Sequence, residues 1–402
     1  MSARIVITGA GVISSIGAGV AEFERAVYAG ESGVGPSQLF GDSSVTAEVR
    51  NFSPQPWLGN KGIRVLDRVA RLLSVAAHMA LCGSGLARSE AGGSDPELGL
   101  VWGTMLGSLH SITSFDWSGL EDGPNYVNPM DFANTVINSA AGQAAIKFKL
   151  GGVNSTICGG GAAGLYALHY AAEFLRLGRA RALLAGGAEE LSEESYLGFG
   201  KTGNTSPSGC PRPFDPERDG VVLGEGAVLL SLEPEETAQT RGAKPWAEIS
   251  GFGCAQDAYS TRAFDVRAEG ATSAIEMALE SAGIGPAEVS CIIAAASGSR
   301  AGDGMEARAL QNVFGARLGE IPVCAPKAAL GESLGAAGAF GALLGTMALT
   351  QQCLPPTPGV RAVAPGIRLA NQTQSFQGDV ALVNAFSCDG NNAAMILRRW
   401  SE

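Results

Sequence analysis

Histidine is nearly absent. A chain of 402 residues carries three, His78, His110 and His169, so few side chains can exchange a proton near neutral pH. His78 and His169 fall in helical patterns and read as packed or surface residues. Nothing in the sequence gives His110 a role. The eight cysteines are scattered, with no C-x-x-C pair and no zinc spacing, so no metal site is expected. Most of them read as small buried hydrophobes of a reducing compartment. Charged residues make up only 17% of the chain, with a net charge of −11 and no long Lys/Arg run. Nucleic acid and anionic membranes are therefore not expected as partners. No apolar run reaches the roughly 18–20 residues that span a bilayer. The opening residues, MSARIVITGAGVISSIGAG, lack the regions of a signal peptide. The expected location is cytoplasmic.

The residues that are present suit a large α/β core. Apolar residues make up 46% of the chain. Residues 64–82 and 162–178 repeat apolar positions at i, i+3, i+4 and i+7, which predicts helices. The runs 4–8, 181–189, 227–233, 291–297 and 380–387 read as buried strands of a sheet covered on both faces. The G-A-G after the first strand resembles a dinucleotide turn, but Ser14 stands where the third glycine belongs, and no acidic residue follows at the right distance. The polar stretch 234–247 predicts a crossover, giving an N-terminal half over 1–245 and a C-terminal half over 246–402. The tetrapeptide G-A-A-G occurs in each, at 161–164 and 335–338, in the same strand, turn and helix pattern.

Residues 154–164, N-S-T-I-C-G-G-G-A-A-G, place Cys158 between an extended run and a small-residue helix. A longer match explains why. Residues 211–226, P-R-P-F-D-P-E-R-D-G-V-V-L-G-E-G, resemble the R-P-F-D-x-x-R-D-G-x-x-x-G-E-G signature of β-ketoacyl synthases. F-A-N-T-V-I-N-S-A-A-G (132–142), G-D-G-M-E (302–306), P-K-A-A-L-G-E-S-L-G-A-A-G (326–338) and N-A-F-S-C-D-G-N-N (384–392) follow the family's order. The resemblance implies a thiolase fold, with five αβαβα layers built from two duplicated halves, and a tight dimer. It also implies the chemistry. A cysteine thiolate accepts an acyl group delivered as a phosphopantetheine thioester on acyl carrier protein. Two histidines then stabilise the enolate formed as CO₂ leaves. No other cofactor is implied.

The slots of that chemistry are altered. Cys158 fills the nucleophile position. Ser297 stands where the first histidine is expected and Glu332 where the second is expected, while Lys327 is retained. Serine carries no positive charge near neutral pH. An ionised glutamate would raise the Cys158 pKa and repel an enolate. A protonated, buried Glu332 could instead donate a hydrogen bond. In the closing loop, S-C-D-G-N-N replaces the family's G-F-G-G-T-N, so Cys388 takes the gating position and Asp389 adds an acid. Phe132, Gly159, Gly160, Phe386, Ser387 and Asp389 are the expected pocket and gating residues. Asp215, Arg218, Asp219, Glu225 and Glu306 are expected to hold the loops, with Lys327 paired to Glu306 or another acid.

By resemblance the chain looks like a chain-length-factor subunit, paired with an active ketosynthase or with itself, with residues around Met130 to Asn138 at the interface. An alternative is a Cys158-dependent acyltransferase or thioester hydrolase that omits decarboxylation, which needs only a nucleophile and an oxyanion hole. A lesser alternative is thiolase-like use of Cys158 with Cys388. Arg64, Arg68 and Arg71 share a helical stretch and form a candidate docking patch for the acidic carrier.

Overall fold

The computed structural model describes residues 3–41, 43–87 and 93–401. Ten strands build its frame. They are β1 (Ile5–Ser14), β2 (Leu98–Thr104), β3 (Asn154–Cys158), β4 (Ala182–Glu189), β5 (Gly226–Pro234), β6 (Ala247–Gln256), β7 (Cys291–Ile293), β8 (Pro322–Cys324), β9 (Val380–Phe386) and β10 (Asn391–Arg399). The first five lie in the order β3-β2-β4-β5-β1, and the second five repeat it as β8-β7-β9-β10-β6. Pairing sense repeats as well. β2 is parallel to β3 and β4, and β7 is parallel to β8 and β9, while the remaining neighbours are antiparallel. Strand β1 meets β6 through three residue pairs, which joins the two sheets at one corner.

Helices complete five layers. Outside the first sheet lie α1 (Arg68–Ser84) and α3 (Ser139–Phe148); α2 (Leu109–Glu121) precedes α3 at the surface. Between the sheets lie α4 (Ala163–Arg176) and α8 (Ala337–Gln351). α5 (Glu193–Lys201) touches α2, and α6 (Glu269–Ser281) and α7 (Arg300–Phe314) cover the second sheet. Three large apolar clusters fill the four interlayer spaces, the first of them on both sides of the central helices. This is the five-layer, duplicated α/β architecture expected from the sequence.

The central pair explains the repeated G-A-A-G. α4 and α8 cross where both tetrapeptides start their helices. A Cβ on Gly164 would lie 2.9 Å from Gly335 O and from Ala339 N, and one on Gly338 would lie 2.8 Å from Leu165 Cγ. Only glycine lets the backbones approach so closely. α8 is apolar on every side, as a fully enclosed helix must be. The stretch Leu334–Gln351 has the length and composition to cross a membrane, contrary to the reading of the apolar runs, but nearly all of it is buried inside the protein.

The G-A-G near the N-terminus lies inside β1 rather than in a turn. A Cβ on Gly11 would sit 1.9 Å from Ala76 O, so this glycine admits α1 rather than a phosphate. The predicted strand over 291–297 is cut to three residues. Beyond Ile293, the Ala295 amide donates to Glu306 Oε1 at 2.9 Å and the Ser297 amide to Asp303 Oδ1 at 2.9 Å. These carboxylates replace a neighbouring strand. The polar stretch 234–247 forms a short helix, Glu235–Thr240, and runs into β6.

Candidate active site

Cys158 ends β3, and five residues later α4 begins. Gly160 turns the chain with a φ of 57°, a left-handed conformation that favours glycine. A loop from the other half lies over this turn. Gly161 N–H donates to Ser387 Oγ at 3.0 Å. A Cβ on Gly160 would fall 2.3 Å from Asp389 Oδ2 and 2.7 Å from Ser387 Oγ. Gly160 therefore makes room for Ser387 and Asp389, whereas a Cβ on Gly159 would meet Tyr166 at 2.8 Å. The turn at Gly160 also places a carboxylate against the start of α4, where an anionic intermediate would otherwise gain from backbone N–H groups.

Cys158 is solvent-exposed and free. Burial of its inner side, and then the charge of Glu189, raise its thiol above the ordinary value. Its environment does not favour a thiolate. Glu189 was not singled out in the sequence, although it ends an apolar run. It accepts from Thr104 Oγ1 at 2.9 Å, Met105 N at 2.7 Å, Leu106 N at 3.0 Å and Gly335 N at 3.0 Å. It thus ties the ends of β2 and β4 to the second half. Burial pushes it up to about 7.

The altered slots converge. Ser297, Glu332, Phe386, Ser387 and Cys388 line one cleft with Gly161, and its volume is about 50 Å³. Lys327 Nζ donates to Glu332 Oε2 at 2.7 Å, and Leu334 N–H donates to Glu332 Oε1 at 3.1 Å. Both carboxylate oxygens are engaged as acceptors of these two bonds. Lys327 therefore pairs with Glu332, not with Glu306. Glu306 binds Ala295 N–H and Asn384 Nδ2, both at 2.9 Å, and burial pushes it up to about 7. The Cys388 thiol is raised by burial first, then by Asp389 and Glu332. Cys158, Gly159 and Gly160 do not line the cleft. Phe132 lies apart from it, exposed on a short turn of helix and packed against Phe115 at 5.8 Å.

The signature residues hold loops. Asp215 accepts from the amides of Arg361 and Ala362 at 3.0 Å each. Against the effect of burial, these bonds keep its carboxyl below the usual range. Asp219 binds Ser206 Oγ at 2.6 Å. Arg218 donates to Ser299 O at 3.3 Å and to Arg300 O at 3.0 Å, close to Asp303. Asp303 positions Ser297 and Gly298 through their amides; it lay within the quoted G-D-G-M-E motif but was not singled out. Glu225 forms a fork with Arg68, with Nε to Oε2 at 2.7 Å, and accepts from Val49 N–H at 2.9 Å. Arg68 is therefore structural. Arg64 and Arg71 of the expected patch instead line a cleft of about 370 Å³ with Gln55 and Asn60.

Comparison with known proteins agrees with this geometry. Residues 2–238 match the N-terminal domain of β-ketoacyl synthases and 246–361 match the C-terminal domain. The chain is 35% identical to 3-oxoacyl-[acyl-carrier-protein] synthase 2 of Coxiella burnetii, over 98% of each chain. A solved structure described as the ishigamide ketosynthase/chain length factor superposes with a TM-score of 0.92, at 30% identity over the whole of both chains. A type II polyketide ketosynthase solved with its acyl-carrier protein and a bound hexaketide superposes with a TM-score of 0.88 at 29% identity, again over the whole of both chains. With its two matched halves, its repeated strand order and its cysteine at the strand end, the chain belongs to the β-ketoacyl synthase family.

Proposed function

We propose that this chain is a non-condensing subunit of the chain-length-factor type. It would complete a dimer with an active synthase, or with a second copy of itself, and shape the tunnel that receives the growing acyl chain. The Lys327–Glu332 pair carries the reading. Decarboxylation builds negative charge on an enolate, and catalysis needs donors or cations aimed at it. Here Lys327 is tied to Glu332, the acid that lines the cleft, rather than aimed at a bound enolate. Asp389 at the nucleophile turn and the raised Cys158 thiol act in the same direction. Losing a proton-transfer group typically costs ~10²–10⁴ in rate, and both histidine positions are altered.

The surface supports a partner. Trp117, Leu120, Met130, Phe132, Val136 and Ile137 are exposed along α2 and the segment after it. Among the described residues β3 is the terminal strand of its sheet, so its outer edge is free to be covered. Arg64 and Arg71 supply positive charge for an acidic carrier protein bearing a phosphopantetheine thioester.

The exposed thiol of Cys158 favours a second reading, acyl transfer or hydrolysis without decarboxylation. The thiolase-like alternative gains little, because Cys388 is held as a thiol beside two acids. Intact-protein mass spectrometry after incubation with acyl-carrier thioester separates the first two. The proposal expects no adduct. An adduct that disappears in Cys158→Ala would favour acyl transfer.

A further inference from the structure

A second thiol with a base beside it lies on the outer face of the first half. Cys82 and His78 are one turn apart on α1, and Cys82 Sγ lies 3.7 Å from His78 Nε2. Both open into a cavity of about 670 Å³, which Trp57 and Phe148 wall and Lys147 edges. Cys82 is exposed. Lys147 is fixed at the rim, where its Nζ donates to Leu58 O at 2.8 Å. Burial, and then the charge of Lys147, hold the His78 imidazole below its usual range. At neutral pH it is therefore free to accept a proton. Among the described residues no histidine pairs with Cys158, whose thiol is raised by burial and then by the charge of Glu189. Nothing in the condensing chemistry uses the Cys82 site.

The geometry points to Cys82 as a modification site, a thiol that exchanges with small disulfides bearing carboxylates, with His78 as its base and Lys147 as the anchor for the carboxylate. His78 takes the Sγ proton. The thiolate attacks one sulfur of the disulfide, and a new S–S bond joins Cys82 to that half. The old S–S bond breaks, and the other half leaves as a thiolate that takes the proton from His78. The disulfide itself is the oxidant, so no other co-reactant is needed. The aromatic walls and the cavity volume suit a ligand of a few residues' size.

The test uses the full chain with glutathione disulfide as probe, read by intact mass and peptide mapping near neutral pH. Cys82 should take the adduct roughly tenfold faster than the other exposed cysteines, Cys158 and Cys210. His78→Gln should slow it by roughly tenfold, and His78→Asn serves equally if the first variant folds poorly. Lys147→Met should slow exchange with glutathione disulfide but not with uncharged 2-hydroxyethyl disulfide. The inference is overturned if Cys158 or Cys210 is modified first, or if the rate at Cys82 is indifferent to His78. Equal slowing of both disulfides by Lys147→Met would remove Lys147 as the anchor.

Discussion

Two strand ends in this molecule occupy equivalent places. β3 ends at Cys158 and β8 ends at Cys324, and each leads to a G-A-A-G that opens a central helix. Their surroundings differ. Cys158 is exposed and passes into α4 through a short glycine turn. Cys324 is buried, and burial pushes its thiol up to about 12. A longer segment follows it and carries the Lys327–Glu332 pair before α8 begins. One half thus offers an open thiol and the other an ion-paired plug beside it. Duplication supplies the frame, and the residues inserted at each strand end decide what the frame does.

The comparison can be broken at several points. The largest effect is in reactivity. Alkylation of the native protein should modify Cys158 at least about a thousandfold faster than Cys324, which reacts only after opening of the core. Peptide mapping over time reads both sites. Comparable rates would mean that the second strand end is not enclosed.

The plug comes next. Lys327→Met leaves Glu332 as a nearly buried, unpaired charge and should destabilise the protein by about 3–5 kcal/mol. Adding Glu332→Leu should restore most of the loss, as read from denaturant midpoints. No loss in the single variant would show that the pair does not hold the cleft.

At the open end, Gly160→Ala forces a Cβ into Asp389 and a left-handed φ on alanine. The expected loss is about 1–3 kcal/mol. Asp389→Gly in the same chain should recover the part due to the clash but not the part due to φ.

The last test is pH dependence. Burial pushes Glu189 and Glu306 up to about 7 and Glu190 up to about 8. Unfolded, these acids ionise at their ordinary lower values. Between the two values the folded state binds more protons, so stability falls as pH rises from about 5 to 8, by up to about 1.4 kcal/mol per unit for each group. Glu190→Gln should flatten this decline. Below that range Asp215 and Asp219, held low by hydrogen bonds that outweigh burial, withdraw stability as they protonate.

Much of this was legible in the sequence because it is local. The strand runs, the helical periodicity, the repeated G-A-A-G and the long R-P-F-D signature depend on neighbouring residues and fixed spacing. Cys158, Ser297, Glu332 and Cys388 were found by position, and the fold brings the last three to one cleft. The rest depended on contacts distant in sequence. Nothing near Lys327 says whether it meets Glu306 or Glu332. The G-A-G of β1 is a packing device only once α1 lies across it. Glu189 matters because its donors come from β2 and from the start of the second half's central helix. Phe132, expected at the pocket, sits on the exposed surface instead.

The central claim is that the Lys327–Glu332 plug removes decarboxylative condensation from this chain. The most direct measurement is release of CO₂ and formation of 3-oxoacyl product from acyl- and malonyl-carrier protein with the purified chain alone. The account predicts neither above background, with Cys158→Ala indistinguishable from the unaltered protein. Steady turnover that Cys158→Ala abolishes would contradict it.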